Sequence, residues 1–319
     1  MEATTRAHEV AQRVQANVAK VIVGKETAIE LLLVALATGG HALLEDVPGT
    51  GKTMMAKSLA RSLDASFRRV QFTPDLLPSD VTGISFYNQK LGEFEYRQGP
   101  LFANIVLADE INRATPRTQS ALLECMEEKQ VTVEGVTRPM ARPFLVLATQ
   151  NPVEQEGTFP LPEAQLDRFL VKLPVGYPGA EEEMAILDRF RESNPYAELA
   201  SVATVDDILA LQEAVPRVHL SRPVQQYMVD IVRATRMQGN VELGVSPRGP
   251  LALMRACQAL ALLRGRNYVL PDDVQHLAQP VLAHRLVTTS QARLRGHGAG
   301  EVITKILAEV PVPAEPVAR

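Results

Sequence analysis

Leu43-Leu-Glu-Asp-Val-Pro-Gly-Thr-Gly-Lys-Thr53 decides how the rest of the chain is read. The apolar residues Ala42 to Leu44 predict a strand, the Pro-Gly-x-Gly segment a tight turn, and Lys52-Thr53 opens a helical pattern that runs to Leu63. Strand, glycine-rich turn and helix start, in that order, make a phosphate-binding loop. The glycines let the backbone come close, and successive N–H groups with the positive end of the helix point at the anion. Pro48, Gly49, Thr50, Gly51 and Met54 are expected around the phosphates. Lys52 is expected to reach the β and γ phosphates of a nucleoside triphosphate, and the Thr53 hydroxyl to ligate Mg²⁺. Asp46 stands where the G-x-x-x-x-G-K-[ST] pattern has its first glycine. Aspartate tolerates unusual backbone angles, so the turn is expected to survive with that carboxylate pointing away from the phosphates. A strand-to-helix turn that binds nothing is the plainer alternative, and the next motif weighs against it.

Ile105-Val-Leu-Ala-Asp-Glu110 is a continuous apolar run closed by two acids. Such a run is what a central parallel strand, covered on both faces, requires. Asp109 at its end is placed to hold Mg²⁺ opposite Thr53, and Glu110 to orient and deprotonate an attacking water. Acids at a strand end also serve as helix caps. With a phosphate loop upstream in an α/β pattern, the hydrolytic reading is the stronger one. Another apolar strand, 144–148, runs into Thr149-Gln150-Asn151-Pro152. Asn151 is expected beside Glu110 at the strand ends, within reach of the γ phosphate or its water. An ordinary Asn-Pro turn is the other reading.

Of the 319 residues 46% are apolar, enough for one large or two ordinary cores, and two domains are expected. A net charge of −4 argues against a dedicated nucleic-acid binder, whose affinity rests on basic surface, while leaving room for a local basic pore. Cys125 and Cys257 fall in helical patterns without C-x-x-C or histidine spacing, so they are read as buried free thiols. Residues 1–20 read as a polar helix, not as a leader, and the longest apolar run, 31–37, is too short to span a bilayer. A soluble cytoplasmic protein is expected.

Residues 14–21 and 25–37 are predicted helices, the second apolar enough to be buried and ended by Gly39-Gly40. Between them, Val21-Ile-Val-Gly-Lys25 is a turn of the kind that closes over adenine in many phosphate-loop ATPases. A strand over 67–72 starts a parallel sheet with helical crossovers. Residues 73–99 change to Pro-rich turns and a hairpin, 84–87 with 93–97, and read as a functional insertion. A helix is predicted over 112–128 with Leu122, Leu123 and Met126 inward, then a hairpin of 130–133 with 137–140. Residues 161–169 predict a short capped helix before a strand at 170–173. Within it, Arg168 is either a structural surface arginine or one offered to a neighbour's nucleotide. Tyr177-Pro-Gly179 marks the domain boundary. Beyond it helices are predicted over 181–191, 206–213, 223–236, 250–263 and 271–278, with no 20- to 50-residue repeat, so a bundle is preferred to a solenoid. Arg248 falls at a helix start, from which it could swing toward phosphate.

These residues resemble the AAA+ ATPases of the MoxR type. The likeness covers nearly the whole chain: Ile22-Val-Gly24, Glu45 to Thr53, Phe72-Thr-Pro-Asp-Leu-Leu-Pro-Ser-Asp80, Glu95 to Pro100, Ala108-Asp-Glu-Ile-Asn-Arg113, Ala148-Thr-Gln-Asn-Pro152, Phe159 to Phe169, Ser246-Pro-Arg-Gly249 and Leu270-Pro-Asp-Asp-Val274. Several are specific to that family, in which Asp46 is an allowed variant. The resemblance implies an α/β fold: an αβα P-loop core with a parallel sheet at 1–177, and a C-terminal all-helical lid at 178–319. The core would carry the helix-2 insert at about 73–99 and the hairpin before sensor 1 at about 130–140.

It further implies a homo-oligomeric ring, usually a hexamer, with ATP and Mg²⁺ between neighbours and Val23 and Gly24 at the base. Lys52 and Thr53 correspond to Walker A, Asp109 and Glu110 to Walker B, Asn151 to sensor 1, Arg168 to the arginine finger and Arg248 to sensor 2. Members of the family resemble chaperones that mature or activate partner proteins, often ones with a von Willebrand factor A domain and its metal site, or cofactor-bearing enzymes. One alternative is an AAA+ motor on nucleic acid, against which the acidic balance and the lack of a helix-turn-helix or zinc module count. Another is a chelatase motor subunit, whose core carries the same two inserts. A scaffold that binds ATP without turnover is disfavoured by the intact Asp109-Glu110 pair.

Overall fold

The computed structural model describes residues 2–45, 49–151, 157–191, 194–296 and 298–313. Helix α1 (Glu2–Ala19) leads through a turn into α2 (Glu26–Thr38), where every residue from Leu31 to Ala37 is buried. A helix apolar all round belongs in a core. Gly39, left-handed at φ 64°, ends it. Strand β1 (Ala42–Glu45) and helix α3 (Lys52–Ser62) flank the phosphate loop. Then come β2 (Phe67–Gln71), α4 (Pro78–Thr82) and a hairpin of β3 (Gly83–Asn88) and β4 (Glu93–Gln98). These are followed by β5 (Ile105–Asp109), α5 (Pro116–Glu128) and a second hairpin of β6 (Gln130–Val133) and β7 (Val136–Pro139). The strand β8 (Leu145–Gln150), the single-turn helix α6 (Glu163–Leu166) and β9 (Val171–Leu173) complete this part.

Five strands form one parallel sheet in the order β2-β5-β8-β1-β9, and the hairpins stand outside it as separate ribbons. Parallel strands all point one way. Glu45, Asp109 and Gln150 therefore leave the sheet at its C-terminal edge, while His41 and Leu170 enter at the opposite edge, where the Leu170 N–H donates to the His41 carbonyl. Alternation of side chains sorts the strands into two cores. Leu44, Leu107 and Leu147 pack on one face with α2 and α3, and Leu43, Val106 and Val146 on the other with α5.

Beyond β9 the chain is helical: α7 (Ala180–Phe190), α8 (Val205–Ala214), α9 (Arg222–Thr235), a strand β10 (Val241–Leu243), α10 (Arg248–Leu263) and α11 (Pro271–Leu282). The strand β11 (Val287–Thr288) pairs with β10, and α12 (Ser290–Leu294) and α13 (Ala299–Glu309) follow. These helices have no separate core. Ile208, Ile231, Leu260 and Leu277 belong to the same buried cluster as Val14, Leu36 and Leu44.

Several local expectations are corrected. The helix expected over 112–128 is interrupted: Ile111–Arg113 is a 3₁₀ turn, and α5 starts at Pro116. The residue before a proline is pushed to extended backbone, as Thr115 is at ψ 153°. The helix expected over 161–169 is only the turn α6, which gives way after Leu166 to i→i−3 turn bonds, Arg168 N–H to Gln165 and Phe169 N–H to Leu166. Helix α1 spans the polar helix read at 1–20, not only residues 14–21, and buries a stripe of Ala7, Val10, Ala11, Val14 and Val18. Helices α12 and α13 fall where none is expected.

Candidate active site

A cavity of about 400 Å³ opens at the C-terminal edge of the sheet, lined by Gly49, Thr50, Gly51, Lys52, Thr53 and Met54, by Asp109 and Glu110, and by Asn151. Gly49 and Gly51 have φ of 88° and 85°, and a Cβ at either would meet nothing within 4 Å. Backbone angle, not crowding, demands glycine there. Asp46 and Pro48 lie outside the described residues.

The two acids are held by groups that flank them. Asp109 receives the Thr149 hydroxyl on Oδ1 at 2.6 Å and the Arg69 guanidinium on Oδ2 at 2.6 Å. Thr149 also accepts the Glu110 N–H at 2.8 Å, tying β8 to the end of β5. On Glu110, Oε2 accepts from Gln71 Nε2 at 2.6 Å and lies 3.3 Å from Arg113 Nε. Glu110 is left-handed at φ 56°, ψ 50°. Non-glycine residues adopt that conformation rarely, and here the bonds to Thr149 and Gln71 hold it.

A second cavity, of about 670 Å³, adjoins the start of the loop. Its walls come from both parts of the chain: Gly24 to Ala28, Glu45, Lys172 to Val175, and His276, Pro280, Ala283 and His284. Gly24, at φ 67°, has the Glu182 carboxylate where a side chain would go. Val23 is not among the described lining residues. Lys172 bridges to Glu45 at 2.8 Å. Glu45 lines this cavity and Gly49 the first, with three residues of chain, 46–48, between them.

Arg168 and Arg248 line neither cavity. Arg168 precedes β9 and lies 3.0 Å from Glu127, and Arg248, at the start of α10, lies 3.6 Å from the same carboxylate. Glu127 lies in the last turn of α5 at the N-terminal edge of the sheet, next to Met126, whose carbonyl meets the His41 ring. Strands of four to six residues, at about 3.3 Å each, put roughly 13 to 20 Å between these arginines and the phosphate loop. The expectation that Arg248 swings toward phosphate is not met within its own chain.

Residues 41–171 match the model of the ATPase family associated with various cellular activities (AAA), and residues 233–306 match the AAA lid domain. The chain is 44% identical over 306 residues to Chaperone MoxR1 of Mycobacterium tuberculosis, covering 93% of this chain and 81% of that protein. The chain belongs to the MoxR family of AAA ATPases. As a MoxR-family member it binds and hydrolyses ATP. It is also 53% identical over 308 residues to YeaC of Bacillus subtilis, covering 97% and 96% of the two chains. A crystal structure of a putative ATPase from Cytophaga hutchinsonii superposes with a TM-score of 0.92 at 41% identity, over 98% of each chain.

In this MoxR-family chain the sequence reading missed Arg69, Gln71 and Thr149, which hold the acids. The alternation of Arg69 and Gln71 along an edge strand beside Asp109 was the available signal, since i and i+2 share a face. Both cysteines are buried and free, and burial pushes the Cys125 thiol up to about 12. Among the described residues no helix is long and apolar enough to cross a membrane.

Proposed function

We propose that the chain works as a ring-forming, chaperone-like ATPase that remodels or activates a protein client, and that each site is completed by a neighbouring subunit. The observation that carries this reading is the separation of the two groups: Lys52, Asp109, Glu110 and Asn151 share one cavity, while Arg168 and Arg248 lie at the other edge of the sheet. Phosphoryl transfer gathers charge on the γ oxygens, and an arginine supplied in trans raises the rate about 10³- to 10⁵-fold where it has been measured. A ring, a hexamer in the family pattern, would bring one subunit's arginines to the next subunit's phosphates.

Lys52 then binds phosphate, Glu110 accepts the proton of the attacking water, Asn151 orients that water, and the cavity at Gly24 takes the base. Mg²⁺ fits the donors: the Thr53 hydroxyl and the Asp109 carboxylate are hard oxygens facing one cavity. Among the described residues no cluster of three or more His, Cys, Asp or Glu could hold a metal. Mg²⁺ keeps several of its waters and takes one or two protein ligands besides phosphate. When bound, the ion neutralises the β and γ oxygens. Arg69, bonded to Asp109, would yield part of that contact. The name of the 44%-identical relative, Chaperone MoxR1, supports a protein client. A partner with a von Willebrand factor A domain is the first to test, in the ATP-holding, reducing cytoplasm that suits two free thiols.

Glu110→Gln keeps shape and loses the base. With ATP it should hold the assembled ring and retain a client in pull-down, and the parent's ATPase should rise with client and not with DNA. Stimulation by DNA alone would replace the client with nucleic acid.

A further inference from the structure

We propose that Arg285 is a positioning residue that transmits the state of a subunit's own base cavity to the Arg168 it presents to its neighbour, an inference that rests on the trans reading of Arg168 above. Arg285 closes the 3₁₀ turn after α11, and its side chain is 3% exposed. Its Nε donates to Asp167 Oδ1 at 2.8 Å, and its Nη2 to the carbonyls of Asp167 at 3.2 Å and Phe169 at 2.7 Å. Its Nη1 donates to the Leu170 carbonyl at 3.2 Å and to that of Val281. All five N–H donors of the guanidinium are thereby used. Four of its five oxygen acceptors belong to residues 167–170 and bracket Arg168 on both sides, and Nη1 also lies 2.7 Å from His284 Nε2. A rigid planar fork can hold such a set; a lysine ammonium, with three donors around one point, cannot.

The other end of the same unit is the cavity wall. Ala283 and His284 immediately precede Arg285, Pro280 lies one turn earlier, and all three line the 670 Å³ cavity. His284 Nε2 lies 3.0 Å from the Phe169 carbonyl that also receives Arg285. Cavity wall and arginine-bearing turn are thus one hydrogen-bonded block inside a close-packed interior, which transmits displacement instead of absorbing it. Stability alone is a weak reason for burying a guanidinium, because apolar replacements of the same size often serve as well. Geometry is the stronger reason here.

The test uses the full chain carrying Arg285→Lys, with Asp167→Asn as a second variant that keeps shape and removes the carboxylate. Both should bind ATP within about twofold of the parent. Their kcat should fall roughly 10- to 100-fold, the order expected when a reacting group is misplaced by about 1 Å. Mixed with Lys52→Ala subunits, with co-assembly verified by native mass spectrometry, each should regain ATPase activity several-fold. In such rings an intact Arg285 and Arg168 face an intact phosphate loop. ATP should also protect the backbone N–H groups of 167–170 from hydrogen exchange in the parent and much less in Arg285→Lys. The Arg168→Ala plus Lys52→Ala mixture is the reference. If it recovers and the Arg285→Lys and Asp167→Asn mixtures do not, Arg285 is a structural residue and the inference is overturned while the trans reading stands. If none recovers, both are overturned.

Discussion

Acidification should loosen the root of the strand that feeds the phosphate loop, and His41 sets by how much. The ring lies just before β1 and is 3% exposed. Its Nδ1 accepts the Val146 N–H at 3.0 Å, so the neutral tautomer carries its proton on Nε2, which faces the Met126 carbonyl at 3.1 Å. Protonating Nδ1 would set two N–H groups against each other in a buried site. Burial above all, with the nearby Lys129 charge adding to it against the Met126 bond, lowers the His41 pKa from 6.5 to about 4. A base whose folded pKa is depressed stabilises the fold fully above 6.5, and that contribution drains away as pH falls toward 4. In full it amounts to about 3 kcal/mol, of which roughly 2 kcal/mol is lost between pH 7 and pH 5. Urea unfolding of the parent and of His41→Gln at both pH values measures it as a double difference. His284, held well below the usual range by burial and by Arg285 beside it, titrates in both proteins and cancels. A His41→Gln protein that lost as much stability as the parent would refute the reasoning.

Lys52→Ala should weaken ATP binding by about 10- to 150-fold, the equivalent of roughly 1.5 to 3 kcal/mol for a hydrogen bond to a charged group, as read by calorimetry. Gly49→Ala should lower ATP affinity roughly 5- to 30-fold through about 1 to 2 kcal/mol of left-handed strain, with little change in the affinity of Glu110→Gln as a control. ATP added to isolated subunits should leave hydrogen exchange at 246–249 unchanged, and assembly with ATP should protect it in the parent and not in Arg248→Ala. Protection in the isolated subunit would return Arg248 to its own nucleotide.

The central sheet was legible because β5 and β8 are apolar on both alternations, which only a doubly covered parallel strand needs. The phosphate loop was legible because two left-handed glycines and a lysine are a local requirement. The partners of Asp109 and Glu110 were not, since Arg69 and Gln71 acquire their roles from the pairing of β2 with β5, a contact some 40 residues distant. Arg248 was recognisable as the start of a helix, but its destination depends on how α10 packs against α1 and α2, which no local pattern specifies. Arg285 carries no motif at all. Its bonds to residues 167–170 exist only once α11 has docked beside the turn before β9.

The continuous apolar cluster linking Leu36 and Val14 to Ile208, Leu260 and Leu277 has a mechanical consequence. Lifting the C-terminal helices off α1 and α2 would wet many side chains at about 1.5 to 3 kcal/mol each. A swing wide enough to part lid from core is therefore opposed by that apolar contact. Lid and core are then expected to shift by small slides across their shared apolar seam, as packed helices do, and not to part.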